Sequence, residues 1–115
     1  MPPKIHSRKT GPGFAVLYRW RLKPGMETQF IQAWSGISRI LLDRHGSLGS
    51  RLHRGNDGIW CSYAQWPSAS AREAVFVQGP ADIELSDQMR ACVAESFDEL
   101  ILESVADFMV NISAD

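Results

Sequence analysis

The change of hydrophobic period between residues 14 and 44 constrains the fold of this chain more than any other feature. From Phe14 to Leu22, large apolar side chains alternate with other residues, which is the two-residue period of a β-strand. From Met26 to Arg44, apolar residues recur every three or four positions, as in an amphipathic helix. Pro24, just before this segment, has a fixed φ angle that suits a helix start. A strand that leads directly into a long helix indicates that helices pack on a sheet.

The later segments extend this pattern to a complete fold. Asp57-Gly58 suits the positive φ angles of a hairpin turn, and Ser70 with Glu73 has the spacing of a helix capping box. The further predicted elements are strands over 48–54 and 59–66, a helix over 70–78 interrupted at 79–80 and resumed over 85–97, and a closing strand over 99–112. The order β-α-β-β-α-β predicts an α+β, ferredoxin-like fold with a four-stranded antiparallel sheet.

Length and composition limit the organisation and the partners of the protein. Its 115 residues suit one domain, which we predict over 14–115 after a flexible tail at 1–13. The net charge of -1 argues against nucleic acid as a partner. We expect no membrane span, because no apolar run approaches about 18 residues. Cys61 and Cys92 fit no CxxC spacing, and we interpret them as buried free thiols of a cytoplasmic protein.

The predicted sheet has an apolar surface on the side that the helices leave open. Its predicted members are Leu17, Ile59, Cys61, Tyr63, Ile101 and Val105. An apolar sheet face of this extent is unfavourable in water. Two copies that pack these faces together would cover it in an isologous homodimer, which predicts a dimeric α+β barrel.

Three short motifs carry a resemblance to a known family. Lys23-Pro24-Gly25 precedes the first helix, His45-Gly46 follows it, and Tyr63-Ala64-Gln65-Trp66-Pro67-Ser68 ends a central strand. Together with the element order, they make residues 14–110 resemble the antibiotic biosynthesis monooxygenases. This resemblance implies an oxygenase that needs no metal, haem or flavin, because the deprotonated substrate itself passes an electron to dioxygen. It also implies a small aromatic, polyphenolic or quinol substrate in a pocket between sheet and helices.

The resemblance and the strand pattern together nominate site residues. Trp66 matches a pocket tryptophan of the family, and Ser62 stands four residues earlier, where related proteins carry asparagine. Both residues share one face of their strand. Predicted catalytic residues are Ser62, Trp66 and Tyr18, and predicted substrate-binding residues are Val16, Trp20, Trp60, Arg72, Phe76 and Met89. We predict no metal site and no cofactor, because no metal-ligand cluster or phosphate loop stands out.

A second interpretation of the same residues stays open. This runner-up is a non-catalytic dimeric protein of the same fold that binds a small molecule or serves in a stress response. The polar groups around the pocket discriminate between the two. Several inward-facing donors with one ionisable group favour chemistry, whereas a pocket filled by Trp20, Trp60 and Phe76 favours neither interpretation.

Overall fold

The computed structural model describes residues 13–110, so the predicted tail at 1–13 lies outside the described residues except for Gly13. The elements are β1 (Phe14–Leu22), α1 (Glu27–Arg44), β2 (Gly49–Arg54), β3 (Trp60–Trp66), α2 (Ala69–Phe76), α3 (Ile83–Ala91), β4 (Val93–Ser96) and β5 (Leu100–Glu103). The sheet is antiparallel with the order β2-β3-β1, and both β4 and β5 pair with the free side of β1. The ferredoxin-like α+β prediction is therefore confirmed.

The last strand is divided into two short strands, which makes five strands in residues 13–110 instead of the four predicted. β4 pairs with the Trp20–Leu22 end of β1, β5 pairs with the Phe14–Leu17 end, and residues 97–99 between them leave the ladder. The predicted helix over 85–97 was too long, because the four-residue spacing of Val93 and Phe97 also fits two repeats of a strand. The predicted closing strand ends at Glu103, and its expected residues 111–112 lie outside the described part.

One end of the helix-covered sheet face is filled by aromatic rings. Trp20 and Trp60 are directly opposite each other in the β1–β3 register. Phe30, fully buried on α1, meets both in edge-to-face contacts, with ring centroids 5.1 Å from Trp20 and 5.9 Å from Trp60. These rings belong to the hydrophobic core of the protein, together with Cys92.

The open face of the sheet contains only part of the predicted apolar surface. Leu17, Cys61 and Tyr63 lie there, and Leu17 is opposite Tyr63. The other three predicted members lie elsewhere: Ile59 precedes β3, Val105 follows β5, and Ile101 pairs with Val16 on the helix-covered side. Leu100 lies opposite Leu17 in place of Ile101. The prediction was wrong by one residue on this strand, and such a shift moves every side chain to the other face.

Two of the helices above the sheet, α1 and α3, pack against each other. They approach closely at Gly36, where a Cβ atom would stand 2.8 Å from Leu85 Cδ1. None of the helices in residues 13–110 combines the length and the apolar character needed to cross a bilayer.

Neither α2 nor α3 has a buried residue, but α3 packs along α1, whereas α2 meets mainly β3 and is held less firmly. Its N-cap is Ser68, whose hydroxyl accepts a 3.0 Å hydrogen bond from the Ala71 amide. The predicted cap at Ser70 was wrong by two residues, because the helix begins at Ala69 and the spacing of Ser70 and Glu73 does not exclude a cap at the serine two residues earlier.

Candidate functional site

A cavity of about 360 Å³ lies between the helix-covered face of the sheet and the helices above it. Its aromatic walls include Trp20, Trp34, Trp66 and Phe76. Hydroxyl groups are unusually dense, since six serines and Tyr18 also line it. An apolar cavity with a few polar groups is the usual form of a small-molecule site.

Most of the predicted site residues meet at this cavity. The three predicted catalytic residues Ser62, Trp66 and Tyr18 line it, and so do Trp20, Phe76 and Met89. Val16, Trp60 and Arg72 are absent from its lining. Their predicted contacts with a ligand, like the roles of the lining residues, stay predictions.

The three absent residues have clear positions. Val16 is fully buried opposite Ala64, so its side chain is covered before it reaches the cavity. Trp60 packs against Phe30 and lines a separate, wider groove between α1 and β2. Arg72 reaches the back of Tyr18 and not the cavity itself.

The two residues whose hydroxyl groups have the best-defined surroundings are neighbours across the sheet. Tyr18 on β1 is directly opposite Ser62 on β3. Directly opposed residues on one face have Cβ atoms roughly 5 Å apart. Both side chains therefore leave the sheet side by side, and both line the cavity.

The Ser62 hydroxyl is oriented by a tryptophan of α1. Trp34 Nε1 donates a 3.0 Å hydrogen bond to Ser62 Oγ, and Ser62 is only 2% exposed. An indole N–H can only donate, so Ser62 acts as the acceptor in this bond. Its own proton is left available for another acceptor, such as an oxygen atom of a ligand.

The Tyr18 hydroxyl is oriented in the same way by Arg72. Arg72 Nη2 donates to Tyr18 Oη at 2.9 Å and also to Glu99 Oε2 at 2.8 Å. Burial raises the pKa of Tyr18 above its ordinary value, and this outweighs the lowering effect of the Arg72 bond and charge. Tyr18 therefore keeps its proton at neutral pH and serves as a hydrogen-bond donor.

The Arg72 side chain stays charged in this setting. Burial lowers its pKa, but the bonds to Tyr18 and Glu99 favour the charged form more strongly, and the pKa is raised overall. The guanidinium carbon lies 4.8 Å from the centroid of the Phe76 ring. This cation–π contact lies within α2, four residues apart, and helps to fix the direction of the Arg72 side chain.

Formal charge is scarce around the cavity. Of the described residues that line it, Arg90 alone is charged, and it pairs with Asp87 at 2.8 Å on the surface. No group of three or more His, Cys, Asp or Glu side chains within residues 13–110 is arranged to hold a metal ion. The chemistry available here is hydrogen bonding by neutral hydroxyl groups within aromatic walls.

Sequence reasoning missed Trp34, the other lining serines and Glu99 as parts of this site. The apolar stripe of α1 carried a signal for Trp34, because it repeats with Phe30 and Ile37 at helical spacing. That pattern predicts which face meets the sheet, but not where the packed side chains leave a space. Glu99 was predicted as the first residue of the closing strand, whereas it lies in the break between β4 and β5.

Comparison with known proteins bears on the fold. No family model matches the chain, and no curated protein matches its sequence. Its structure is similar to SnoaB, a cofactor-independent oxygenase from Streptomyces nogalater, with TM-score 0.67, 16% identity, and coverage of 85% of this chain and 97% of that one.

Two further solved structures have the same architecture. A Bordetella bronchiseptica protein assigned to the antibiotic biosynthesis monooxygenases has TM-score 0.65 at 18% identity, covering 82% of this chain and 95% of its own. A Mycobacterium tuberculosis protein has TM-score 0.68 at 14% identity, covering 86% of this chain and 100% of its own. The resemblance inferred from the sequence motifs is thus confirmed as a shared fold.

Proposed function

We propose that this protein is a cofactor-independent monooxygenase that acts on a small phenolic or quinol-type aromatic compound in the cavity. The proposed unit is the domain over 14–115, acting as a homodimer. We place it in the cytoplasm, because Cys61 and Cys92 are both unpaired, which fits a reducing compartment.

One observation carries the proposal. Tyr18 and Ser62 face each other across the sheet, and each hydroxyl oxygen already accepts a bond from a group behind it, Arg72 or Trp34. Both protons are therefore available to the cavity. Donors that are fixed in advance and aimed at a developing oxyanion stabilise it without further reorganisation.

The proposed reaction needs no electrons from the protein. When a ring CH₂ group of an anthrone-type compound becomes a carbonyl, two C–H bonds break, one oxygen atom of dioxygen is bonded to the carbon, and the other leaves as water. The four electrons that reduce dioxygen all come from the substrate. Tyr18 and Ser62 would stabilise the substrate oxyanion, while Trp66 and Phe76 would pack on its ring and exclude water.

The open face of the sheet supports the homodimer. Leu17, Cys61, Tyr63 and Leu100 bring apolar side chains to one surface, and burial of apolar area is the main driving force of such interfaces. A stable interface of this kind buries on the order of 2,000 Å² in total.

The test is oxygen consumption with 1,8-dihydroxyanthrone, measured together with quinone formation and repeated in the presence of a chelator. We expect one dioxygen per substrate molecule and no effect of the chelator. Tyr18→Phe and Ser62→Ala should each lower kcat/KM about tenfold, the effect of roughly 1.4 kcal/mol in transition-state stabilisation. Tyr63→Phe and Ser35→Ala are matched controls, because neither side chain lines the cavity.

The alternative function gives a different result in the same experiment. A small-molecule-binding protein would bind the compound with an affinity that depends on Tyr18 and Ser62, yet would consume no more oxygen than buffer alone. Equal turnover by wild type and both variants would remove the two hydroxyl groups from the mechanism.

A further inference from the structure

The break in the last strand brings a carboxylate to the back of the site. Residues 97–99 leave the ladder between β4 and β5, and Glu99 Oε2 there accepts a 2.8 Å bond from Arg72 Nη2. We propose that Glu99 is a positioning residue that holds Arg72 on the Tyr18 hydroxyl and so fastens α2 over the cavity. Only the identity of the molecule that accepts the Tyr18 hydrogen bond rests on the proposed function.

The geometry makes Glu99 the decisive partner of Arg72. The same nitrogen, Nη2, donates to the Glu99 carboxylate and to the Tyr18 hydroxyl. Glu99 accepts with a full negative charge, whereas the Tyr18 hydroxyl is neutral, so the attraction of the guanidinium to Glu99 is the stronger of the two. The carboxylate therefore determines where the guanidinium rests, although Glu99 is 43% exposed and solvent weakens the pair.

α2 depends on this contact because little else holds it. Like α3 it has no buried residue, but α3 packs along α1, whereas α2 meets mainly β3, where Phe76 packs edge-to-face on Trp66 with centroids 5.7 Å apart. Pro67 precedes the helix and Gly79 follows it at a φ of 98°. An α-helix with few buried groups between two such points opens locally at low cost.

The proposal predicts that removal of Glu99 shifts the pKa of Tyr18 in the direction opposite to that of a simple electrostatic effect. The negative charge of Glu99 raises the pKa of Tyr18, whereas the bond and charge of Arg72 lower it. These two groups, one from α2 and one from the break, are the charged causes acting on Tyr18. If Glu99 were only a nearby charge, its removal would lower the pKa of Tyr18. If Glu99 positions Arg72, its removal releases Arg72 and the pKa of Tyr18 rises.

The experiment is an ultraviolet titration of tyrosinate in the free protein. The chain has two tyrosines, so a Tyr63→Phe background leaves Tyr18 as the single reporter. We expect Glu99→Ala to raise the titration midpoint of Tyr18 and Glu99→Gln to raise it less. Glu103→Ala, which removes another exposed carboxylate from β5, should leave the midpoint unchanged. A midpoint that falls or stays constant in Glu99→Ala overturns the proposal.

A second measurement, made without the Tyr63→Phe substitution, tests whether Glu99 holds α2 in place. By amide hydrogen exchange, Glu99→Ala should exchange about tenfold faster over residues 69–79, as expected for the loss of a charged hydrogen bond, with no change over 83–91. If exchange over residues 69–79 is as slow in Glu99→Ala as in the wild type, α2 is held by other contacts. Neither measurement needs a substrate, so both stand even if the protein proves to have no oxygenase activity.

Discussion

The same substitution at two buried alanines should change stability in opposite directions if the cavity is open in solution. Ala64 is 8% exposed and lines the cavity between Ser62 and Trp66. Ala33 is fully buried on α1 and does not line it. Leucine adds the same atoms at both positions, so the difference between the two variants reports on the space available.

The magnitudes follow from the two environments. At Ala64, three added carbon groups at about 0.8 kcal/mol each set a ceiling of about 2.4 kcal/mol on the gain in unfolding free energy. Loss of rotamer freedom lowers this, and we expect a net gain of about 1 kcal/mol. At Ala33, where packing is already complete, the added carbons should cost about 1–3 kcal/mol.

Urea denaturation followed by tryptophan fluorescence measures both values, provided that the slope with denaturant is unchanged. Ala64→Leu should also weaken binding of 1,8-dihydroxyanthraquinone at least about tenfold, since the leucine occupies the ligand's space. Similar destabilisation by both substitutions, with ligand binding intact, would refute the cavity as the binding site.

Three further predictions concern the dimer, the pH dependence and α2. Leu17→Glu on the open sheet face should convert a homodimer into monomers by light scattering, and a wild-type monomer of 12.9 kDa would contradict the interface. Burial raises the pKa of Tyr18 and of Cys92 above their ordinary values, so the protonated form of each group contributes to the stability of the folded protein. This stability is complete below about pH 9 and is lost as pH rises above the ordinary values of 9.0 and 10.0, so Tyr18→Phe should unfold less steeply in alkali. Ser68→Ala should lower the unfolding free energy by about 1 kcal/mol, and Ser70→Ala by clearly less, because Ser68 caps α2.

The elements that were predictable from sequence are those with long, consistent periods. β1 alternates over nine residues and α1 repeats over 18, so tertiary packing had little room to override either pattern. The placement of Ser62 and Trp66 on one face followed from the same alternation in β3. Short segments were less predictable for the converse reason: the four residues of β4 were predicted as helix, and β5, predicted within a strand, was assigned the wrong face at Ile101.

The position of the cavity, and the contacts that orient the groups lining it, depend on information that the periodicity of the sequence does not contain. Trp20 and Trp60 have the same pattern along their strands, yet only Trp20 lines the cavity, whereas Trp60 lines a separate groove between α1 and β2. The bond from Trp34 to Ser62 joins residues 28 positions apart. Such pairings result from how α1 is placed on the sheet, and no local pattern specifies them.

The close approach of α1 and α3 at Gly36 makes a glycine the spacer of the pocket. α3 supplies Met89 and Arg90 to the cavity wall, while Leu85 of the same helix rests where Gly36 has no side chain. A methyl group at position 36 would press on Leu85 and move this wall outward, leaving Tyr18 and Ser62 untouched. Pocket width and donor chemistry are therefore separable traits, and the range of accepted molecules can diverge among descendants of this chain while the hydroxyl pair is retained.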